Sequence, residues 1–140
     1  MICLDTNAVS EIGKPLPSAV FVDWMKRQDH NELYLPSPVI MELAYGAEKA
    51  FLRSGTRRYH LFLDDMFGNR FRDRILDFVG EAPLICGRLR ARRGRAGKPI
   101  DVVDAMIAAI CIANGAALAT RNIGDFAGLD LRLINPFEPA

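Results

Sequence analysis

Histidine is nearly absent from this chain, and cysteine is sparse and odd in number. Two histidines, His30 and His60, and three cysteines, Cys3, Cys86 and Cys111, stand far apart in the 140 residues. No pair has the close spacing of a zinc site. An uneven set of thiols in apolar surroundings reads as buried cysteine, not as a disulfide framework. A metal held by nitrogen or sulfur is therefore not expected, and the cytosol is the expected compartment. Long apolar runs are missing as well. The longest uncharged stretch, 105–120, contains Asn114 and Gly115, whereas a membrane-crossing helix needs roughly 20 mostly apolar residues. Asp5 interrupts the start before a signal core could form, so neither a secretory leader nor a membrane association is expected. Acids, finally, are missing from one region. Arg88, Arg90, Arg92, Arg93, Arg95 and Lys98 follow one another with no Asp or Glu among them, although the net charge of the whole chain is only +1.

What remains is the composition of a folded protein, 50% hydrophobic and 25% charged, of a length suited to one domain with a sizeable core. Ile2 to Asp5 reads as a first strand ending in the turn-prone pair Thr6-Asn7, and Ala8 to Ile12 as one helical turn. Gly13 to Pro17 breaks it. Ser18 caps a helix to about Gln28, and Leu33 to Leu35 is a second strand. Ser37, followed by Pro38 at the first helical position, starts a helix to about Leu52. Helices are predicted over 57–67, 83–96 and 101–114, and strands over 74–78, 117–119 and 131–134. Strands alternating with helices imply an α/β domain whose parallel sheet of about five strands is covered on both faces.

Within that frame four carboxylates are conspicuous. Asp5 closes the run Ile2-Cys3-Leu4, and Glu42 interrupts an apolar stretch from Val39 to Ala44. Asp104 is the only charged residue between Val102 and Ala113, and Asp125 precedes Phe126 in a polar loop. Lone carboxylates are rarely buried, because desolvation costs several kcal/mol or more. Several such acids without a neighbouring Arg or Lys point to a shared cation. In an open parallel sheet ligands gather beyond the carboxyl ends of the strands, where Asp5, Asn122 and Asp125 fall and where the following helices begin. Three of the acids also have a structural alternative, Asp5 and Asp125 as turn formers and Asp104 as part of a helix start beside Asp101, whereas Glu42 lies too far along its helix to cap it. Oxygen-only ligands select Mg²⁺ or Mn²⁺. Beside a basic run, here Arg90, Arg92, Arg93, Arg95 and Lys98, such a site suits hydrolysis of a phosphodiester polymer.

The segments Leu4-Asp5-Thr6-Asn7, 38–46 around Glu42, 100–109 around Asp104 and Ala119-Thr120-Arg121-Asn122-Ile123-Gly124-Asp125-Phe126 resemble, in order and across nearly the whole chain, the signature blocks of PIN-domain ribonuclease toxins. The VapC group with its FitB-like plasmid-stability members is the particular likeness. The resemblance implies a single PIN domain over 1–140 with a three-layer α/β/α fold, and a Mg²⁺- or Mn²⁺-dependent endoribonuclease acting as the toxin of a toxin–antitoxin pair. It implies metal binding and catalysis by Asp5, Glu42 and Asp104, with Asp125 a further candidate ligand and Thr6, Asn7, Thr120 and Asn122 in support. A fourth acid in such proteins often falls where this chain has Asn122, which leaves open whether Asp125 takes its place or a single ion binds. The implied partners are RNA and a small VapB- or FitA-like antitoxin with a DNA-binding N-terminal part, in a homodimer and a larger hetero-oligomer.

Two alternatives stay in view: an RNA-binding module of the same fold with weak catalysis, and a metal-dependent phosphatase. A dehalogenase-type phosphatase wants a second Asp two residues after the first, where this chain has Asn7, and usually a late lysine, yet none follows Lys98. A receiver-type signalling domain wants paired acids after the first strand and a lysine after the last, and both are missing.

Overall fold

The structure, a computed structural model, describes residues 1–139. Strand β1 (Ile2–Leu4) ends at Asp5, whose extended backbone and side-chain oxygen cap helix α1 (Thr6–Ile12). Thr6 and Asn7 are therefore the first turn of α1 and not a loop, because the Asp5 cap lets the helix begin at once. Ser18 caps α2 (Ala19–Lys26) through its hydroxyl, as expected. Strand β2 (Leu33–Pro36) runs straight into α3 (Ser37–Ser54), where the expectation about Ser37 fails: the helix starts after Pro36 with no side-chain cap. Pro38 lies in its first turn, where a missing N–H costs nothing.

Helix α4 (Arg58–Asp65) continues into a π-helical turn (Met66–Arg70) before a two-residue strand β3 (Ile75–Leu76). Helix α5 (Ala82–Arg95) carries the basic run and packs along α6 (Val102–Ala113). Six of the twelve residues of α6 are buried, so it lies in the interior and not on one face of it. Gly115, at φ 64, lets the chain turn sharply out of α6 into β4 (Ala117–Ala119). The last strand is β5 (Leu133–Ile134).

All strand pairs are parallel, in the order β3-β2-β1-β4-β5. Consecutive residues of β1 and β4 are buried, as they must be when helices cover both faces of a parallel sheet. The chain builds outward from β1 to β2 and β3, then crosses back to lay β4 on the other side of β1. The order therefore reverses between β1 and β4, and a crevice opens there at the carboxyl ends of both strands. Among the described residues no helix is long and apolar enough to cross a membrane.

Candidate acidic site at the sheet edge

Asp5 lies in that crevice and is only 4% exposed. Its two oxygens are held from both strands. Oδ1 accepts from the Thr6 backbone N–H at 2.8 Å, and Oδ2 accepts from the Thr120 hydroxyl at 2.7 Å and from the Asn7 amide at 3.3 Å. Thr120, fully buried at the end of β4, accepts in turn from the Asn122 backbone N–H at 3.0 Å. The Asn7 amide oxygen accepts from the Arg121 backbone N–H at 3.1 Å. These bonds join residues more than 110 apart in sequence and fix the Asp5 carboxylate at both oxygens. Burial still pushes its pKa above the usual carboxylate range, and the three hydrogen bonds only partly offset that push.

Glu42, on the second turn of α3, is oriented by the Thr6 hydroxyl, which donates to Oε1 at 2.5 Å. Asp104 is not the cap of α6: Asp101 is, accepting from the backbone N–H groups of Val103 and Asp104. The half-buried Asp104 carboxylate receives no hydrogen bond among the described residues. Desolvation raises its pKa to about 6, with the charges of Asp5, Asp101, Glu42 and Asp125 adding to the rise. Asp104 thus feels four other acids, and none of the five forms an ion pair among the described residues. Asp125 sits exposed in the 3-10 turn after β4 (Ile123–Phe126), and Asn122 just before it.

Among the described residues no three such side chains converge closely enough to form a ready shell around an ion. A hard cation that keeps several of its waters and takes one or two carboxylates directly fits this oxygen-only, mutually repelling set.

The basic run divides in two. Arg88, Arg90, Arg92, Arg95 and Lys98 are exposed and form no ion pair among the described residues. Arg93 departs from the expectation that it faces RNA: its guanidinium is occupied by three backbone carbonyls of the protein. Its inward turn follows from its place on the side of α5 toward the 3-10 turn.

Sequence reasoning missed Glu11, an acid on α1 that is 3% exposed. It accepts from the Lys14 ammonium and the Ser18 N–H, both at 2.8 Å, and lies 3.7 Å from Arg121. The Lys14 hydrogen bond, followed by that of Ser18, holds its carboxyl below the usual range. Lys14 three residues on was the only available signal. A groove of about 550 Å³ opens beside Glu42, the one acid of the site that lines it, with Thr6, Gly13, Gly46, Arg58 and Phe62 among the others. A β-carbon on Gly13 would come within 2.8 Å of the Phe62 ring, so glycine at the end of α1 is what leaves room for that ring in the groove wall.

The family model described as PIN domain matches residues 2–130. Plasmid stability protein StbB of Pseudomonas syringae pv. tomato is 36% identical over 99% of each chain. VapC ribonuclease Y4jK of Sinorhizobium fredii is 35% identical over the whole of both. Among solved structures, FitAB bound to an IR36 DNA fragment contains a chain that superposes with a TM-score of 0.86 at 29% identity, covering 100% of this chain and 98% of that one.

Proposed function

Because the chain belongs to the PIN-domain family, we propose that it is a Mg²⁺- or Mn²⁺-dependent endoribonuclease, the toxin of a toxin–antitoxin pair, with 1–140 forming one domain. The observation that carries this reading is Asp104: a half-buried acid, unpaired by the protein, in a crevice shared with Asp5, Glu42 and Asp125. Asp5, Asp104 and Glu42 would hold the ion, with Asp125 at the rim. A bound divalent ion polarises a phosphoryl oxygen and eases deprotonation of nearby water. The residues of the chain supply the rest. Thr120, Asn7 and the Thr6 N–H fix the Asp5 carboxylate, and the Thr6 hydroxyl aims Glu42 into the crevice. The exposed cations of α5 (Arg90, Arg92, Arg95) and Lys98 hold RNA backbone without reading its sequence.

The ribonuclease name of the Sinorhizobium relative and the DNA-bound complex among the structural neighbours support RNA as substrate and a DNA-binding antitoxin as partner. A partner segment seated in the groove beside Glu42 and Thr6 would cover two residues of the site and block it. Met41, Tyr45 and Leu52 stay exposed on α3, an apolar surface that suits assembly into a dimer or larger complex.

Incubating single-stranded RNA with the purified chain, with and without Mg²⁺ or Mn²⁺, tests the reading directly. Cleavage that requires the ion and disappears in Asp5→Asn supports it. RNA binding without cleavage, at any ion concentration, would favour the RNA-binding module instead.

A further inference from the structure

Arg93 stands in the middle of the basic run, yet it donates inward along its whole guanidinium. Nε donates to the Lys98 carbonyl at 2.8 Å, Nη2 to the Asp125 carbonyl at 3.1 Å and Nη1 to the Ala127 carbonyl at 3.2 Å. Asp125 and Ala127 flank Phe126, which is 1% exposed and anchored in the core. The segment after β4 is thus pinned at its start, where the Asn122 N–H meets the Thr120 hydroxyl, and at its end by Phe126 and the Arg93 fork. Between these anchors the Asp125 carboxylate is exposed, without a cationic partner among the described residues. Its charge nonetheless reaches both Asp5 and Asp104.

We propose that Arg93 is a positioning residue: it sets the Asp125 carboxylate at the rim of the acidic crevice for a divalent cation, and it does not hold RNA phosphate. The inference rests on the reading of the crevice as a metal site and assigns a task within it. Only arginine carries a planar fork able to bridge three carbonyls from two chain segments. A lysine keeps the charge but presents one compact ammonium. The same fork holds the Lys98 carbonyl and so the turn that ends the basic run. One side chain therefore registers the acid-bearing turn against the cations that would grip the RNA backbone.

Calorimetric titration of the full chain with Mn²⁺ alone separates the possibilities. Arg93→Lys should weaken Mn²⁺ binding about tenfold, the scale seen when groups that orient metal ligands are removed. Arg92→Lys should leave it unchanged. In an Asp125→Asn background Arg93→Lys should add nothing, because its effect runs through that carboxylate. Titrations are run below the melting transition of each variant, so that only folded protein is compared. Arg93→Gln, tested in metal-free buffer against a short single-stranded RNA, should keep the wild-type salt dependence of binding. A phosphate-holding arginine would instead lower that slope by about 0.7.

Wild-type Mn²⁺ affinity in Arg93→Lys, an equal loss with and without Asp125, or a reduced salt slope in Arg93→Gln would each overturn the proposal. Failure of the wild type to take up Mn²⁺ would overturn the metal reading itself, and the inference with it.

Discussion

Asp104→Asn is the most informative single substitution, because a metal-ligand role and a helix-start role predict opposite signs. In the metal-free protein Asp104 titrates at about 6 against an ordinary value of 3.8, first because burial strips its carboxylate of water and then because four other acids surround it. The folded state binds this proton more tightly than the unfolded chain does. Ionisation therefore erodes stability as pH rises from about 4 to about 6, and the loss is complete at pH 7. Fully buried, a rise of that size would correspond to roughly 3 kcal/mol. Asp104 is partly open to solvent, and screening reduces the figure to about 1–2 kcal/mol. Asparagine is nearly isosteric and uncharged, and the Asp101 cap does not depend on it. In EDTA at pH 7, Asp104→Asn should thus melt about 3–7 °C above wild type, and the difference should vanish near pH 4. Added Mg²⁺ or Mn²⁺ should raise the melting temperature of wild type but not of the variant, and RNA cleavage by the variant should fall by orders of magnitude. Melts at pH 4 and pH 7, with and without ion, on the preparation used for cleavage, give all of these numbers together. A variant that melts below wild type in EDTA at pH 7 and still cuts RNA would refute the reasoning.

Thr120→Val keeps the shape of a fully buried side chain while removing the 2.7 Å bond to Asp5, so urea unfolding should register a loss of about 1–3 kcal/mol and Mn²⁺ titration a weaker site. Glu11→Gln should cost about 1–2 kcal/mol at pH 7. The Glu11 carboxyl is depressed in the folded state, so its contribution is present above its ordinary value of 4.5 and is lost as pH falls below it, and the two proteins should converge in acid melts. Replacing both Arg92 and Arg95 by Gln should flatten the slope of log affinity for single-stranded RNA against log salt by about 1.4, with the melting temperature within about 2 °C of wild type, since neither side chain is buried or paired.

Much of this protein is legible along the chain because the relevant physics is local. Ser18 and Asp101 mark helix starts because their oxygens bond N–H groups two or three residues on. The unbroken apolar character of 105–113 announces a helix enclosed on nearly all sides, and short apolar strands between helices announce a parallel sheet. Asp5, Glu42 and Asp104 stand out for the same reason, since a charge amid residues that must be buried is a cost visible without coordinates. Where local signals misled, local geometry is also the cause. Thr6 and Asn7 look like a turn until Asp5 is seen to cap a helix, and Ser37 looks like a cap until β2 is seen to run directly into α3.

Other features existed only once strand order was set. That β4 lies against β1, and not at the far edge, is what brings Thr120 to Asp5 and the Arg121 N–H to Asn7. The second cation near Glu11, Arg121, arrives from the far end of the chain, and the orientation of Arg93 needs a turn more than thirty residues away. Residue type and spacing state what a side chain can bond and whether its face is buried. Which distant group arrives to meet it depends on how strands pair, and that pairing is settled by the packing of the whole sheet and its helices together, a sum over contacts that no single stretch of sequence contains.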